Sequence, residues 1–134
     1  MQVITVPVLS GALAHAPLSP VMKAGSHVYV SGIPPYCPES GQLVSGDIRT
    51  QTRAALRSLQ ACLAAAGATT SDVVNLRIYC ANAAWYTAIN EEYRTFFEAP
   101  FPTRTFVPVA SWPAPFDLEI DCVAYLGSED EARP

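Results

Sequence analysis

Two short segments near the C-terminal end hold the residue types best placed to do chemistry. Pro102-Thr103-Arg104-Thr105-Phe106-Val107-Pro108-Val109 sets an isolated arginine at the mouth of a strand-like run, and Leu118-Glu119-Ile120-Asp121-Cys122-Val123 sets a carboxylate inside the next. A guanidinium is a rigid fork that grips a carboxylate through two parallel hydrogen bonds. A strand carboxylate can position or activate water. Together they form a minimal kit for holding a small anion and directing water at it. Each also has an ordinary reading. Arg104 could be one half of a rim salt bridge. Glu119 alternates with Leu118 and Ile120 and shares its side with Asp121, as on the polar face of a half-buried strand.

The remaining candidates are weaker. His15 and His27 are isolated, and Cys37, Cys62, Cys80 and Cys122 show no ligand spacing, so no metal site is expected. The cysteines read as reduced, partly buried hydrophobes of a cytoplasmic protein. The glycines form no phosphate-binding loop, and Ser31 lacks a nucleophile elbow and an evident base. A net charge of −4 without a Lys/Arg cluster argues against a nucleic-acid partner. Ala12-Leu13-Ala14-His15-Ala16 looks superficially like a signal-peptidase site, but no basic residue precedes it and Pro7 and Gly11 interrupt the apolar run. No stretch approaches the roughly 20 apolar residues of a membrane span.

Any site must be held by a single domain, since 134 residues, half of them hydrophobic, suffice for one core and not two. With only 15% charged residues, part of the surface is expected to be covered by partner subunits. Val3–Val8 and Ser19–Met22 read as short strands, with a turn at Lys23-Ala24-Gly25. His27–Ser31 reads as a strand ended by Gly32 and Pro34-Pro35. Asp47 offers an N-cap to a long helix. Ile48, Thr52, Leu56, Leu59, Leu63 and Ala66 form its apolar stripe, Arg49, Arg53 and Arg57 its solvated side, and Gly67 its left-handed end. Asp72–Ala81 is a strand. Asn82 caps a second helix with Trp85, Ile89, Tyr93 and Phe96 buried, stopped by Pro100 and Pro102. Arg104–Ala110 and Phe116–Leu126 are the closing strands, and residues 128–134 form a polar tail. The order β-β-β-α-β-α-β-β predicts an α+β domain, a mixed sheet with both helices on one face and a bare apolar face that oligomerisation would cover.

If the last two strands formed a hairpin, Glu119 would lie roughly 15 Å along the ladder from the partner of Arg104. A shared site therefore demands a non-hairpin arrangement, with another strand or another subunit between them.

Beyond these local readings the chain resembles the RidA family of YjgF-type reactive-intermediate deaminases, over roughly Ala16 to Leu126. The resemblance runs through Pro17-Leu18-Ser19, Val30-Ser31-Gly32, Gly41-Gln42-Leu43, Asp47 with Gln51 and Arg53, and Asn90-Glu91-Glu92-Tyr93 with Phe96-Phe97. Its most specific part is Pro102-Thr103-Arg104 with Leu118-Glu119-Ile120-Asp121. The resemblance implies a chorismate-mutase-like α+β fold over residues 1–127 and a homotrimer with ligand clefts between subunits. It implies hydrolysis of reactive 2-enamino and 2-imino acids, such as 2-aminoacrylate, to 2-oxo acids and ammonia without a cofactor. Carried onto this sequence, Arg104 holds the substrate carboxylate, Glu119 positions the attacking water, Ser31, Gly32 and Asn90 line the pocket, and the Phe106 backbone meets the substrate. Two positions depart from the pattern: Leu18 replaces the family's usual pocket tyrosine, and Phe106 its frequent cysteine. Both make the pocket more apolar, so the expectation is a substrate range shifted toward larger or more apolar imino acids, or weaker activity on 2-aminoacrylate. A pathway-specific deaminase of an aminomuconate-like enamine and a non-catalytic binder of small carboxylic acids remain the alternatives.

Overall fold

Alternating apolar residues in the second half of the chain build a sheet with one buried side. Leu76, Ile78 and Cys80 of one strand and Leu118, Ile120, Cys122 and Ala124 of another are essentially inaccessible, while the residues between them are partly or fully open to solvent. The computed structural model describes residues 1–127; the polar tail expected over 128–134 lies outside the described residues. Six strands, β1 (Gln2–Ile4), β2 (Val21–Ala24), β3 (His27–Ile33), β4 (Val73–Cys80), β5 (Thr103–Pro108) and β6 (Leu118–Tyr125), form one mixed sheet in the order β1-β2-β3-β6-β4-β5. Only β4 and β5 run parallel. The helices are α1 (Leu9–Ala12), α2 (Ile48–Ala65) and α3 (Tyr86–Tyr93).

Helix α2 forms where the sequence places it. Asp47 stands in an extended conformation and its carboxylate accepts from the Thr50 amide at 2.8 Å, an N-cap contributing about 1 kcal/mol. Gly67, at φ +79°, releases the chain after the last turn. Leu56, Leu59, Cys62 and Leu63 of α2 pack with Leu76, Ile78 and Ile120 of the sheet in one core. Truncating a side chain such as Leu59 to alanine costs about 2–5 kcal/mol.

Four expectations are corrected. The strand at Val3–Val8 stops at Ile4, because the chain turns at Val8 (φ +67°) into α1, which drops Leu9 into the core beside Val6. Gly32 does not end β3. The strand continues to Ile33 through a bulge: Val30 pairs with Cys122 and Ile33 with Ile120, so Ser31 and Gly32 together oppose Asp121. Helix α3 begins after a single 3₁₀ turn at Ala83–Trp85, which Asn82 caps, and ends at Tyr93, well short of Pro100. The arginine row of α2 is not merely solvated. Arg49 reaches Glu91 at 2.6 Å and Arg53 reaches Glu92 at 2.9 Å, latching α2 to α3, while Arg57 pairs with Glu39.

The sheet face away from α2 is also less apolar than expected. Met22, Tyr29 and Val123 occupy one end, but Arg77, Asp121 and Tyr79 fill the centre. There the Arg77 Nε donates to Asp121 at 3.0 Å and the Tyr79 hydroxyl donates to the same carboxylate at 3.2 Å.

Candidate functional site

Arg104 lies on edge strand β5, in register with the buried Leu76 of β4, and therefore projects on the helix side of the sheet. Two rings of α3 receive it. Its guanidinium carbon sits 4.9 Å from the centre of the Tyr93 ring and 5.6 Å from that of Tyr86. Such contacts contribute about 0.5–2 kcal/mol and hold a long side chain in one place. Tyr86 is itself braced edge-on by Phe106 at 5.1 Å, so Phe106 stands on the arginine side of the sheet as backing to a ring. Arg104 has no carboxylate partner among the described residues.

Beside it opens a cavity of about 240 Å³, lined by Tyr86, Asn90, Tyr93, Arg94, Phe101, Pro102 and Arg104. The Asn90 Oδ1 and the Tyr93 hydroxyl are both buried without a hydrogen-bond partner. Buried polar atoms are nearly always satisfied, and an unsatisfied one costs about 1–3 kcal/mol. Two such atoms on one cavity wall mark a place built to receive a polar ligand. Asn90 and Tyr93 are presented here by α3, whose attitude the Arg49–Glu91 and Arg53–Glu92 pairs fix from α2.

Glu119 occupies the other side. It pairs with Tyr79 of β4, three residues along from Leu76, so it faces away from α2. Two residues before it, Asp117 is tied down by Gln51, which is buried in α2. That side chain donates to Gly46 O at 2.9 Å and Asp117 Oδ2 at 2.7 Å, and accepts from the Asp117 amide at 2.9 Å. The bulge in β3 brings Gly32 against the carboxyl group; a Cβ on that glycine would stand 2.7 Å from Glu119 Oε2. Burial first, and then the nearby Asp121 charge, push the Glu119 carboxyl from the usual range up to about 7. Tyr36 lies close enough that burial and the Glu119 charge together raise its phenol.

The sequence candidates thus fall into two groups. Asn90, Arg104 and Phe106 share the helix side; Gly32 and Glu119 share the far side, with Ser31 close by. The Ser31 hydroxyl is committed to the Ser19 carbonyl at 2.7 Å. Leu18 is 44% exposed and is not among the residues lining the Arg104 cavity. The non-hairpin arrangement is present, because β4 separates β5 from β6. It does not unite the pair: within one chain Arg104 and Glu119 stand on opposite faces, their backbones roughly 14 Å apart. Sequence reasoning passed over Tyr86, Arg94 and Phe101, and took Tyr93 only as core. No local signal distinguishes them, since their convergence depends on the path from α3 to β5.

Comparison with known proteins agrees with this architecture. The family model described as Endoribonuclease L-PSP matches residues 10–126. The chain is 37% identical over 113 residues to the chloroplastic Reactive Intermediate Deaminase A of Arabidopsis thaliana, covering 84% of this chain and 60% of that protein. It is 33% identical over 114 residues to the human 2-iminobutanoate/2-iminopropanoate deaminase, covering 85% and 83%. The crystal structure of Escherichia coli TdcF with bound serine superposes with a TM-score of 0.85 at 31% identity, over 95% of this chain and all of that one. A match over nearly the whole domain, with the same α+β architecture, makes this chain a member of the Endoribonuclease L-PSP family, the RidA/YjgF-type group that includes the reactive-intermediate deaminases.

Proposed function

We propose that this protein hydrolyses reactive 2-imino and 2-enamino acids to 2-oxo acids and ammonia, in clefts between the subunits of a homotrimer. The observation that carries the reading is the Arg104 cavity: a guanidinium without a carboxylate partner among the described residues, steadied by two tyrosine rings, beside the unsatisfied Asn90 and Tyr93 oxygens. The names of the relatives as imine and reactive-intermediate deaminases point the same way.

In this mechanism Arg104 takes the substrate carboxylate by a charge-assisted fork, a contact of about 1.5–3 kcal/mol. The Asn90 oxygen accepts from the substrate N–H. Glu119 comes from the far face of a neighbouring copy, since the two groups cannot meet within one chain. With its carboxyl near 7, Glu119 works in both protonation states around neutrality. As an acid it protonates the enamine carbon and gives the iminium. As a carboxylate it orients water toward C2 and takes its proton. A C–O bond forms, Glu119 returns the proton to the nitrogen, and the C–N bond breaks as the hydroxyl gives up its proton and C=O forms, so ammonia leaves with no change of oxidation state. Imines hydrolyse readily in water, so orientation and modest electrostatic help suffice. Arg104 and Glu119, with Gly32, Ser31, Asn90 and the Phe106 backbone around them, would thus do the chemistry without a cofactor.

The test is release of 2-oxo acid and ammonia from a panel of imines generated in place by an amino-acid oxidase, with native protein and the Arg104→Ala variant. Acceleration by the native protein that the variant loses on every substrate supports the proposal. Binding of small carboxylic acids with no acceleration of any imine would identify a non-catalytic member instead.

A further inference from the structure

Six arginines lie among the described residues, and four of them are spoken for: Arg49, Arg53, Arg57 and Arg77 each pair with a carboxylate. The two without one, Arg94 and Arg104, line the same cavity. Among the described residues, no aspartate or glutamate contributes to its wall. Each guanidinium lies over an aromatic ring of that wall. Arg94 is 5.8 Å from the centre of Phe101, Arg104 is 4.9 Å from that of Tyr93, and the two rings are 6.3 Å apart. An aromatic floor thus runs from one cation to the other, with the unsatisfied Asn90 Oδ1 and Tyr93 hydroxyl along the same wall. One carboxylate matches one guanidinium; a second, uncompensated guanidinium in the same hollow calls for a second anion.

We infer that this cavity takes a dianion, and that the favoured substrates are 2-imino dicarboxylic acids. Arg104 holds the carboxylate next to the imine carbon and Arg94 holds the distal one. The flat rings of Tyr93 and Phe101 support the carbon chain between them. The inference rests on the deaminase reading for the word substrate, but the dianion site itself does not. It also redirects the expectation of larger or more apolar imino acids: the rings in this pocket serve two cations as much as they serve carbon.

The experiment compares two ligand classes on the full chain and on Arg94→Gln and Arg94→Lys. Imines of alanine and of aspartate are generated by the corresponding amino-acid oxidases, and the ratio of kcat/KM values, dicarboxylate over monocarboxylate, is read for each protein. Binding of pyruvate and 2-oxoglutarate is measured in parallel by calorimetry. The native protein is expected to prefer the dicarboxylate, and Arg94→Gln to lower that preference by about 10- to 100-fold, chiefly through KM. Arg94→Lys, which retains charge without the fork, should recover part of it. Activity on both imines with a ratio that Arg94→Gln leaves unchanged overturns the inference while leaving the deaminase reading intact. Tighter, Arg94-dependent binding of 2-oxoglutarate with no imine hydrolysed sustains the dianion site and removes the deaminase. If Arg94→Gln alters only the oligomeric state on a sizing column, with the ratio unmoved, Arg94 is an interface residue and the inference falls.

Discussion

The two faces of the central sheet prepare their reactive groups by opposite physical means. On the helix side, Arg104 keeps its charge in reach of solvent and is steadied by ring faces, with no opposing carboxylate among the described residues. On the far side, Glu119 is held by burial and an acidic neighbour that make its charge expensive, so its proton is easily kept and easily exchanged. One face is a permanent cation waiting for an anion; the other is a titrating group near neutrality. Under the proposed hydrolysis, each face would supply half of the site, and a second copy of the chain would be needed to bring the unlike halves together.

The largest expected effect comes from removing the cation. Arg104→Ala should lower kcat/KM for imine hydrolysis by about 100-fold, with Arg104→Lys intermediate, measured as 2-oxo acid release. A variant with native rates would remove the helix-side face from the chemistry altogether.

Glu119→Gln should lower kcat by about 10- to 100-fold and flatten the pH–rate profile around 7, where native activity on imines rises as the carboxylate forms. The same titration bears on stability, and its sign is fixed. The folded-state value is raised, so between the usual carboxylate range and about 7 the folded chain holds a proton that the unfolded chain releases. This contribution is full at low pH and is lost as pH rises through about 7. Native Tm should therefore decline from pH 5 to pH 8 by more than that of Glu119→Gln, in thermal scans at each pH.

Smaller effects sharpen the contrast between the faces. Tyr86→Leu removes one brace from Arg104 and should raise KM about 2- to 5-fold with kcat nearly preserved. Gly32→Ala sets a methyl group where the Glu119 carboxyl now rests. That carboxyl is the movable end of a side chain, so Tm should shift by no more than a few degrees while kcat falls several-fold. A large loss of Tm with unaltered kcat would show that the bulge serves only the fold.

Much of the scaffold was legible because its signals are local. Asp47 and Gly67 bracket α2, the alternation of Leu76, Ile78 and Cys80 announces β4, and Leu118 to Ala124 announces β6. The failures lie where tertiary contacts override local preference. Val6 leaves the expected strand because the chain turns into α1, which buries it in the core beside Leu9, and α3 stops early with no proline to force it. At the site, Arg104 and Glu119 stood out as polar residues in strand-forming runs. Arg94 and Phe101 did not, for nothing in their neighbourhood in sequence records that the chain will fold back on α3. The bulge at Ser31-Gly32 was likewise invisible, since a glycine before two prolines reads as a strand end.

The position of β6 has a consequence for how the sheet is assembled. Among the described residues it is the last strand in chain order, yet it lies between β3 and β4 in the finished sheet. Without it the sheet divides into two separate fragments, β1 to β3 and β4 with β5, each with an open flank. Deleting β6 would therefore leave two unjoined pieces of sheet with exposed edges ready to aggregate.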